Sequence, residues 1–173
     1  SLGENDTSVL TIANGDTETN NLIVLNDVTI GPNGTLTHEQ NTTTEQHKLF
    51  LDVSEDLTIA SGGSIDISGK GYQAGQGPGA GVHEVRAGSG AGHGGIGGQG
   101  HDATTLGGSS YGSISSPELI GSGGGTSQRT GSGPGGGALK LVVAGTTKID
   151  GFVDADGSNG GGAGGSLWII TNI

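Results

Sequence analysis

The chain contains no cysteine and no methionine, and only 3% of its 173 residues are aromatic. Without cysteine there is no disulfide scaffold and no thiolate zinc site. Hydrophobic residues make up 29%, with one Trp, two Tyr and two Phe, so any core must be thin and built from Leu, Ile and Val. No apolar run approaches the ~20 residues a membrane-crossing helix needs, and no signal-peptide pattern is present. The start at Ser1 without a methionine suggests a processed chain or an internal fragment. Positive charge is also scarce: six Lys plus Arg stand against 17 acids, a net charge of −11. That balance excludes nucleic acid and anionic membranes as partners and leaves cations, basic proteins, neutral glycans or a mineral surface.

Glycine is what the chain has in quantity. Of 40 glycines, 25 fall between Gly71 and Gly137, in runs such as GQGPGAG (75–81), GSGAGHGGIGGQG (88–100) and GSGPGGG (131–137). Ordering such a stretch costs roughly 1–2 kcal/mol of backbone entropy per residue. It therefore stays mobile, or a dense backbone hydrogen-bond network compensates, or a partner holds it. Only three acids lie in this stretch, against eleven in residues 1–70, so little charge repulsion opposes close packing of glycine segments. Val82, Val85, Ile96, Leu106, Tyr111, Ile114, Leu119 and Ile120 are interspersed. Apolar anchors of this kind have no use in a spacer. They favour a packed glycine-rich lobe pinned by Tyr111 and Leu119–Ile120.

The flanks of the insert alternate apolar and polar residues. SVLTIANGD places Val9, Leu10 and Ile12 before an Asn14-Gly15 turn, and NLIVLNDVTI supplies Leu22, Val24, Val28 and Ile30. Leu49, Leu51 and Val53 keep a period of two, as do Leu57 with Ile59 and Ile65 with Ile67, with short turns at 54–56 and 61–64. Three short strands joined this way fit either a meander of hairpins or successive sides of a β-helical coil. An internal repeat favours the coil. Leu49, Leu51, Val53 and Ile59 correspond at constant offset to Leu139, Leu141, Val143 and Ile149. Once Gly62-Gly63 drops out, Ile65, Ile67 and Gly69 correspond to Val153, Ala155 and Gly157. Stacked coils require their inward positions to agree while outward ones vary. No segment carries a capped 3.6-residue apolar period, so no long helix is expected. The fold expected is all-β: one domain over 1–173, a short right-handed parallel β-helix with a glycine-rich insertion at 71–137. A β-sandwich is the alternative.

The order of features adds a resemblance. IDISGKGY (65–72) precedes the glycine stretch, which holds a YGS turn (111–113), SPELIGSGGG (116–125) and GPGGGALKLVV (133–143). IDGFVDADGSNGGGAGG (149–165) and SLWI (166–169) follow. Over residues 20–173 this resembles glycine-rich parallel β-helix modules of large secreted or cell-surface proteins. The resemblance implies a β-solenoid in an extracellular structural or adhesive setting, and it carries no catalytic residue across.

Chemical motifs are weak. Gly92–Gly97 spells GxGxxG without the flanking strand and helix that a dinucleotide site requires. Gly69-Lys70-Gly71 lacks P-loop spacing. The NTD, paired-Asp and RIK-type segments of polysaccharide-cleaving β-helices are absent, so no enzyme is expected. Regularly spaced TxT arrays for ice contact are absent as well. Asp154, Asp156 and Asn159 alternate like calcium-loop ligands, but Ser166 stands where the β-roll nonapeptide needs Asp. The plainer reading places Asp154 outward on a strand before a turn. Calcium is thus a weak candidate, and no other cofactor is expected. His83, His93 and His101, with Glu84 and Asp102, are a conceivable loop metal site. Asn5, Asn33 and Asn41 open Asn-x-Thr sequons, glycan sites on outer turns if the chain is secreted by a eukaryote.

The expected function is a non-enzymatic extracellular interaction module, an adhesin or matrix scaffold. It would pack on partner proteins or on copies of itself, with Tyr111, Leu119, Ile120 and Trp168 as packing candidates. A scaffold of a biomineral matrix and a carbohydrate-binding β-helix module are the alternatives.

Overall fold

Short alternating segments become eleven strands in the computed structural model, which describes residues 8–12, 22–24, 26–102, 104–129 and 131–171. They are β1 (Ser8–Ile12), β2 (Leu22–Val24), β3 (Val28–Ile30), β4 (Gly34–His38), β5 (Leu49–Val53) and β6 (Leu57–Ile59). β7 (Ser64–Asp66), β8 (Ala138–Val143), β9 (Thr147–Ile149), β10 (Phe152–Asp154) and β11 (Ser166–Thr171) complete the set, and the described residues contain no helix. Three sheets form, in the orders β1-β4-β7-β10, β11-β8-β5-β2 and β3-β6-β9. Every pairing is parallel. Parallel neighbours cannot be joined by hairpins, so the hairpin meander and the antiparallel sandwich are both set aside. The expected Asn14-Gly15 turn lies outside the described residues.

Each layer gives one strand to each sheet: β2, β3 and β4 in one, β5, β6 and β7 in the next, β8, β9 and β10 above them. The register reproduces the sequence repeat. Leu49, Leu51 and Val53 pair with Leu139, Leu141 and Val143; Ile59 pairs with Ile149, and Ile65 with Val153. The match continues past the strands, where Ile67 N donates to Asp154 O (2.9 Å) and Gly69 N to Asp156 O (2.8 Å). The inward rows are fully buried: Ile30, Leu36, Leu49, Leu51, Val53, Leu57, Ile59, Ile65, Ile67, Leu139, Leu141 and Val143 form one cluster. Each such side chain contributes about 1.5–3 kcal/mol of burial. At one corner aspartates repeat the stacking. Asp27 Oδ1 accepts from Asp56 N (3.1 Å), and Asp56 Oδ1 accepts from Thr146 N (2.6 Å).

The connectors 39–48, 71–137 and 155–165 all leave one sheet (β4, β7, β10) and enter the next (β5, β8, β11). The glycine-rich stretch is the middle connector, and it is tied to both neighbours. Gln73 N donates to Thr42 O (3.0 Å), Gly136 N to Ala163 O (2.9 Å) and Ala91 N to Gly161 O (2.8 Å). Its described residues form no strand, only an isolated parallel bridge between Glu84 and Ser127. Extended segments bond backbone to backbone instead, and 120–125 lies at the centre, buried throughout. Gly121 N donates to Gly136 O (2.8 Å), Gly123 N to Gln76 O (2.9 Å), Gly124 N to Gly133 O (2.9 Å) and Gly125 N to Ser89 O (2.8 Å). Tyr72 N, Gly81 N and Ala163 N donate back to Gly121 O, Gly123 O and Ser122 O. One segment thus bonds to several neighbours, which a flat ladder does not allow. A Cβ at Gly123 would run into the carbonyl of Gln73.

This overturns the expectation of apolar anchors. Val82, Val85, Ile96, Leu106 and Ile114 are exposed, Ile96 at 78%, and Ile120 alone of the set is buried. Backbones touch across much of the lobe, so beside Ile120 its interior holds small side chains such as Ser89, Ala91 and Ser122, and the other aliphatic ones are displaced to the loops. Asn41 is a second correction. It is buried rather than on an outer turn, with Nδ2 donating to His47 O and Lys70 O and Oδ1 accepting from Gln46 N and His47 N. Its amide nitrogen is spent on the fold and offers no place for a glycan.

His38 is also fully buried where the lobe rejoins the stack: its Nδ1 donates to Glu39 O (2.8 Å) and its Nε2 has no partner. Burial, aided by Lys70 and His47, lowers its pKa from 6.5 to about 4 against the opposing pull of the Glu39 hydrogen bond. The folded state therefore holds His38 neutral. That contribution is complete above pH 6.5 and is lost as pH falls from 6.5 through about 4. Urea titrations should show about 3 kcal/mol lost across that window, and His38→Leu should flatten it. Gly123→Ala should cost about 1–3 kcal/mol or more by overpacking. Gly131→Ala, where a Cβ meets nothing within 4 Å, is the control. It should leave the urea midpoint unchanged or raise stability by up to about 1 kcal/mol.

Candidate interaction surface

β9, β10 and β11 are the outermost described strands at one end of the three sheets, with β1, β2 and β3 at the other. Leu167 and Ile169 stand above Leu139 and Leu141, which stand above Leu49 and Leu51. The row buried in the lower layers surfaces here. Ile149, Leu167 and Ile169 of that row are exposed, while the exposed Phe152 and Ile170 alternate with it and stand on the outer faces, above Ser64 and Val142. The result is an apolar shelf edged by the unpaired hydrogen-bonding groups of three parallel strands, the arrangement that sheet edges ordinarily suppress with charge. The one described ion pair on these strands' corner is Lys148 with Asp150 (2.8 Å), both well exposed.

The outer face of the same sheet holds Trp168. In register Phe50, Lys140 and Trp168 form a column, with the Lys140 ammonium 5.6 Å from the Phe50 ring and 4.5 Å from the Trp168 ring. Glu118 accepts from the same ammonium at 2.6 Å. Trp168 is therefore engaged by its own chain, and the column fastens the loop bearing Glu118 to the sheet.

A groove of about 550 Å³ runs between loop 110–117 and the start of β11, with His93, Tyr111, Ile114, Pro117 and Leu167 among its walls. The Tyr111 hydroxyl points inward, donating to Ile120 O (2.5 Å) and accepting from Ser122 Oγ (2.9 Å). Ser122 Oγ in turn accepts from Gly79 N (2.9 Å). Burial pushes the Tyr111 pKa up to about 12, partly offset by Ser122, so the phenol stays a donor at neutral pH. Its ring packs on His93 with centroids 4.6 Å apart, and His93 Nδ1 donates to Gly164 O (2.9 Å). Ser166 Oγ donates to Leu119 O (2.7 Å), which joins the groove floor to β11.

Gly108-Ser109-Ser110-Tyr111-Gly112 carries the G-x-S-x-G spacing of a hydrolase elbow. No strand precedes it and no helix follows, the context that motif requires. The groove therefore offers aromatic, aliphatic and hydroxyl contact rather than an elbow nucleophile.

Of the packing candidates, Tyr111 lines this groove, Leu119 meets it only through the bond from Ser166 Oγ to its carbonyl, and Trp168 lies on the outer sheet face. Ile120 is wholly inside the chain and cannot meet a partner. Asp154, Asp156 and Asn159 are exposed. Asp154 Oδ1 accepts from Asp156 N (3.0 Å), the same local turn that Asp66 makes with Ser68 N (2.9 Å) one layer below. No third acid or histidine converges on the two aspartates among the described residues. Asn33 sits exposed in the turn before β4, and Asn5 lies outside the described residues. Sequence reasoning missed the His93–Tyr111 pair, which no spacing signals. The shelf was within reach of it, because Leu167 and Ile169 share the alternation of Leu139 and Leu141.

Compared with known proteins, the chain matches no family model, no curated protein and no solved structure. Tyr111→Phe should remove both hydroxyl bonds, leave Ile120 O without this donor and Ser122 Oγ–H without its acceptor, and cost about 1–3 kcal/mol in urea denaturation.

Proposed function

We propose that the chain is a non-enzymatic structural and interaction module, a short parallel β-helix with a glycine-rich lobe at one corner. It works outside the cell by packing its end layer against another protein or a second copy. The observation that supports this reading is the shelf of Ile149, Leu167 and Ile169, continuous with the buried rows, bordered by three parallel edges and flanked on the outer faces by the exposed Phe152 and Ile170. A partner that adds a layer gains main-chain hydrogen bonds along the edge and apolar burial above it. The extracellular setting and the adhesin or matrix role follow the resemblance of 20–173 to glycine-rich β-helix modules. A carbohydrate-binding role is the second reading, favoured by the His93–Tyr111 rings facing a groove flanked by Ser110 and Ser113.

Light scattering across the micromolar to millimolar range tests the main reading. The chain should associate with itself, or with the partner co-purified from its source. Ile169→Asp combined with Leu167→Arg should abolish that association while leaving the β circular dichroism signal intact. An undiminished association in the double variant, or a chain that stays monomeric and takes no partner, overturns the reading.

A further inference from the structure

The loops at 82–87 and 99–106 bring together three side chains that the end layer and the groove do not use. Glu84 is fixed by its backbone, where its N–H donates to Thr126 O (3.1 Å) beside the bridge to Ser127. His101 N donates to Ala87 O (2.9 Å), Gly100 N to Thr105 O (2.9 Å) and Thr105 N to Asp102 O (2.8 Å), so a tight turn sets His101 and Asp102. Asp102 N donates to Glu84 Oε1 (2.9 Å), which draws the two loops together. Gly100 leaves space for the carboxylate, because a Cβ there would stand 2.5 Å from Glu84 Oε2.

His101 Nδ1 lies 3.4 Å from Asp102 Oδ1 and 3.9 Å from Glu84 Oε1, and the three ligand atoms all fall within 4.8 Å of one another. Ligands about 2.1 Å from a tetrahedral zinc stand about 3.4 Å apart. A second observation is independent of that spacing. Glu84 Oε2 is wholly buried with no hydrogen-bond partner, on a side chain only 11% exposed. A buried, unpartnered carboxylate oxygen is costly, and a cation held by both oxygens of the Glu84 carboxylate would supply the missing partner. We propose that Glu84, His101 and Asp102 bind a divalent first-row transition cation, for which zinc is the reference ion.

One imidazole nitrogen and two carboxylates suit such an ion, with water completing its coordination. Calcium fits poorly, since it takes six to eight oxygens and three donors here include a nitrogen. Arg86 competes with the ion: its Nη1 lies 3.2 Å from His101 Nε2 and donates to it, which leaves the imidazole hydrogen on Nδ1, facing the carboxylates. Binding at Nδ1 moves that hydrogen to Nε2, which can then no longer accept from Arg86, and turns the exposed Arg86 side chain to solvent. The bound ion would clamp loop 82–87 to loop 99–106.

Isothermal titration of the chelator-treated full chain with zinc, manganese and calcium chlorides tests the site. Zinc should bind at one ion per chain in the micromolar range or tighter, with a rise in Tm, and calcium should not compete. His101→Gln and Glu84→Gln should each weaken zinc binding tenfold or more, and Arg86→Ala should tighten it severalfold. His101 is exposed, so its substitution keeps the fold and isolates the ligand from the other four histidines. Absence of zinc binding in the micromolar range overturns the proposal, as does a His101→Gln chain that binds as tightly as the parent. Neither result bears on the end layer, whose association is read separately.

Discussion

A buried peptide group must find a hydrogen-bonding partner, and in this chain the partner is nearly always a segment remote in sequence. The stack and the lobe meet that constraint in two ways. In the stack each strand bonds to the strand one layer away at a fixed register, and the enclosed space is filled by aliphatic side chains. In the lobe the segments approach so closely that no enclosed space is left. Ile120–Gly125 bonds to segments around Gly79, Ser89, Gly135 and Ala163, and a Cβ on Gly121 or Gly123 would meet backbone oxygen. Entropy lost by ordering glycine is offset there by bond density rather than by apolar burial. The two halves consequently tolerate different changes. Outward strand positions accept variation, while lobe glycines such as Gly121 and Gly123, where a Cβ would meet backbone, accept no side chain.

The location of the lobe follows from the same stacking. Because the layers are equivalent, the connectors 39–48, 71–137 and 155–165 issue from one corner, and the long middle one is held between the two short ones. Glu45 receives the Ile120 N–H from one side (3.2 Å) and is ion-paired with Lys48. Ala163 bonds from the other side. A glycine stretch in solution would be a flexible tether. Clamped at this corner it becomes a scaffold, and the loops at 82–87, 99–106 and 110–119 project from a fixed frame.

Stacking was legible in the sequence because it depends on side-chain agreement. The match of Leu49, Leu51 and Val53 to Leu139, Leu141 and Val143 is a property of residue identity, and it became strand register without a slip. Lobe packing was legible only in part. Glycine content signals close approach, but it does not say which segments meet, since backbone bonds leave no trace in residue type. The same blindness misread Val82, Val85, Ile96, Leu106 and Ile114 as anchors. Asn41 and His38 were hidden for a related reason: polar residues beside a strand look solvent-facing until a neighbouring connector covers them. The metal-like trio was visible as a scatter of His and acids, but their convergence depends on the turn at 100–105 and on the bridge at Glu84.

Exposed aliphatic residues on the lobe and on the last described layer therefore have separate causes, and only the second bears on the proposed partner. Those on the lobe loops are exposed because the bundle beneath has no interior, and isolated apolar side chains on a surface need no other explanation. Ile149, Leu167 and Ile169 are exposed because a buried row runs on to the last described layer. A chain segment that extended these sheets would satisfy the edge hydrogen bonds and cover Leu167 and Ile169 in a single contact. Its register would be fixed as well, because a shift by one residue would turn its apolar side chains away from that row. On the proposed reading, specificity and affinity at this end come from the same stacking rule that builds the layers below it.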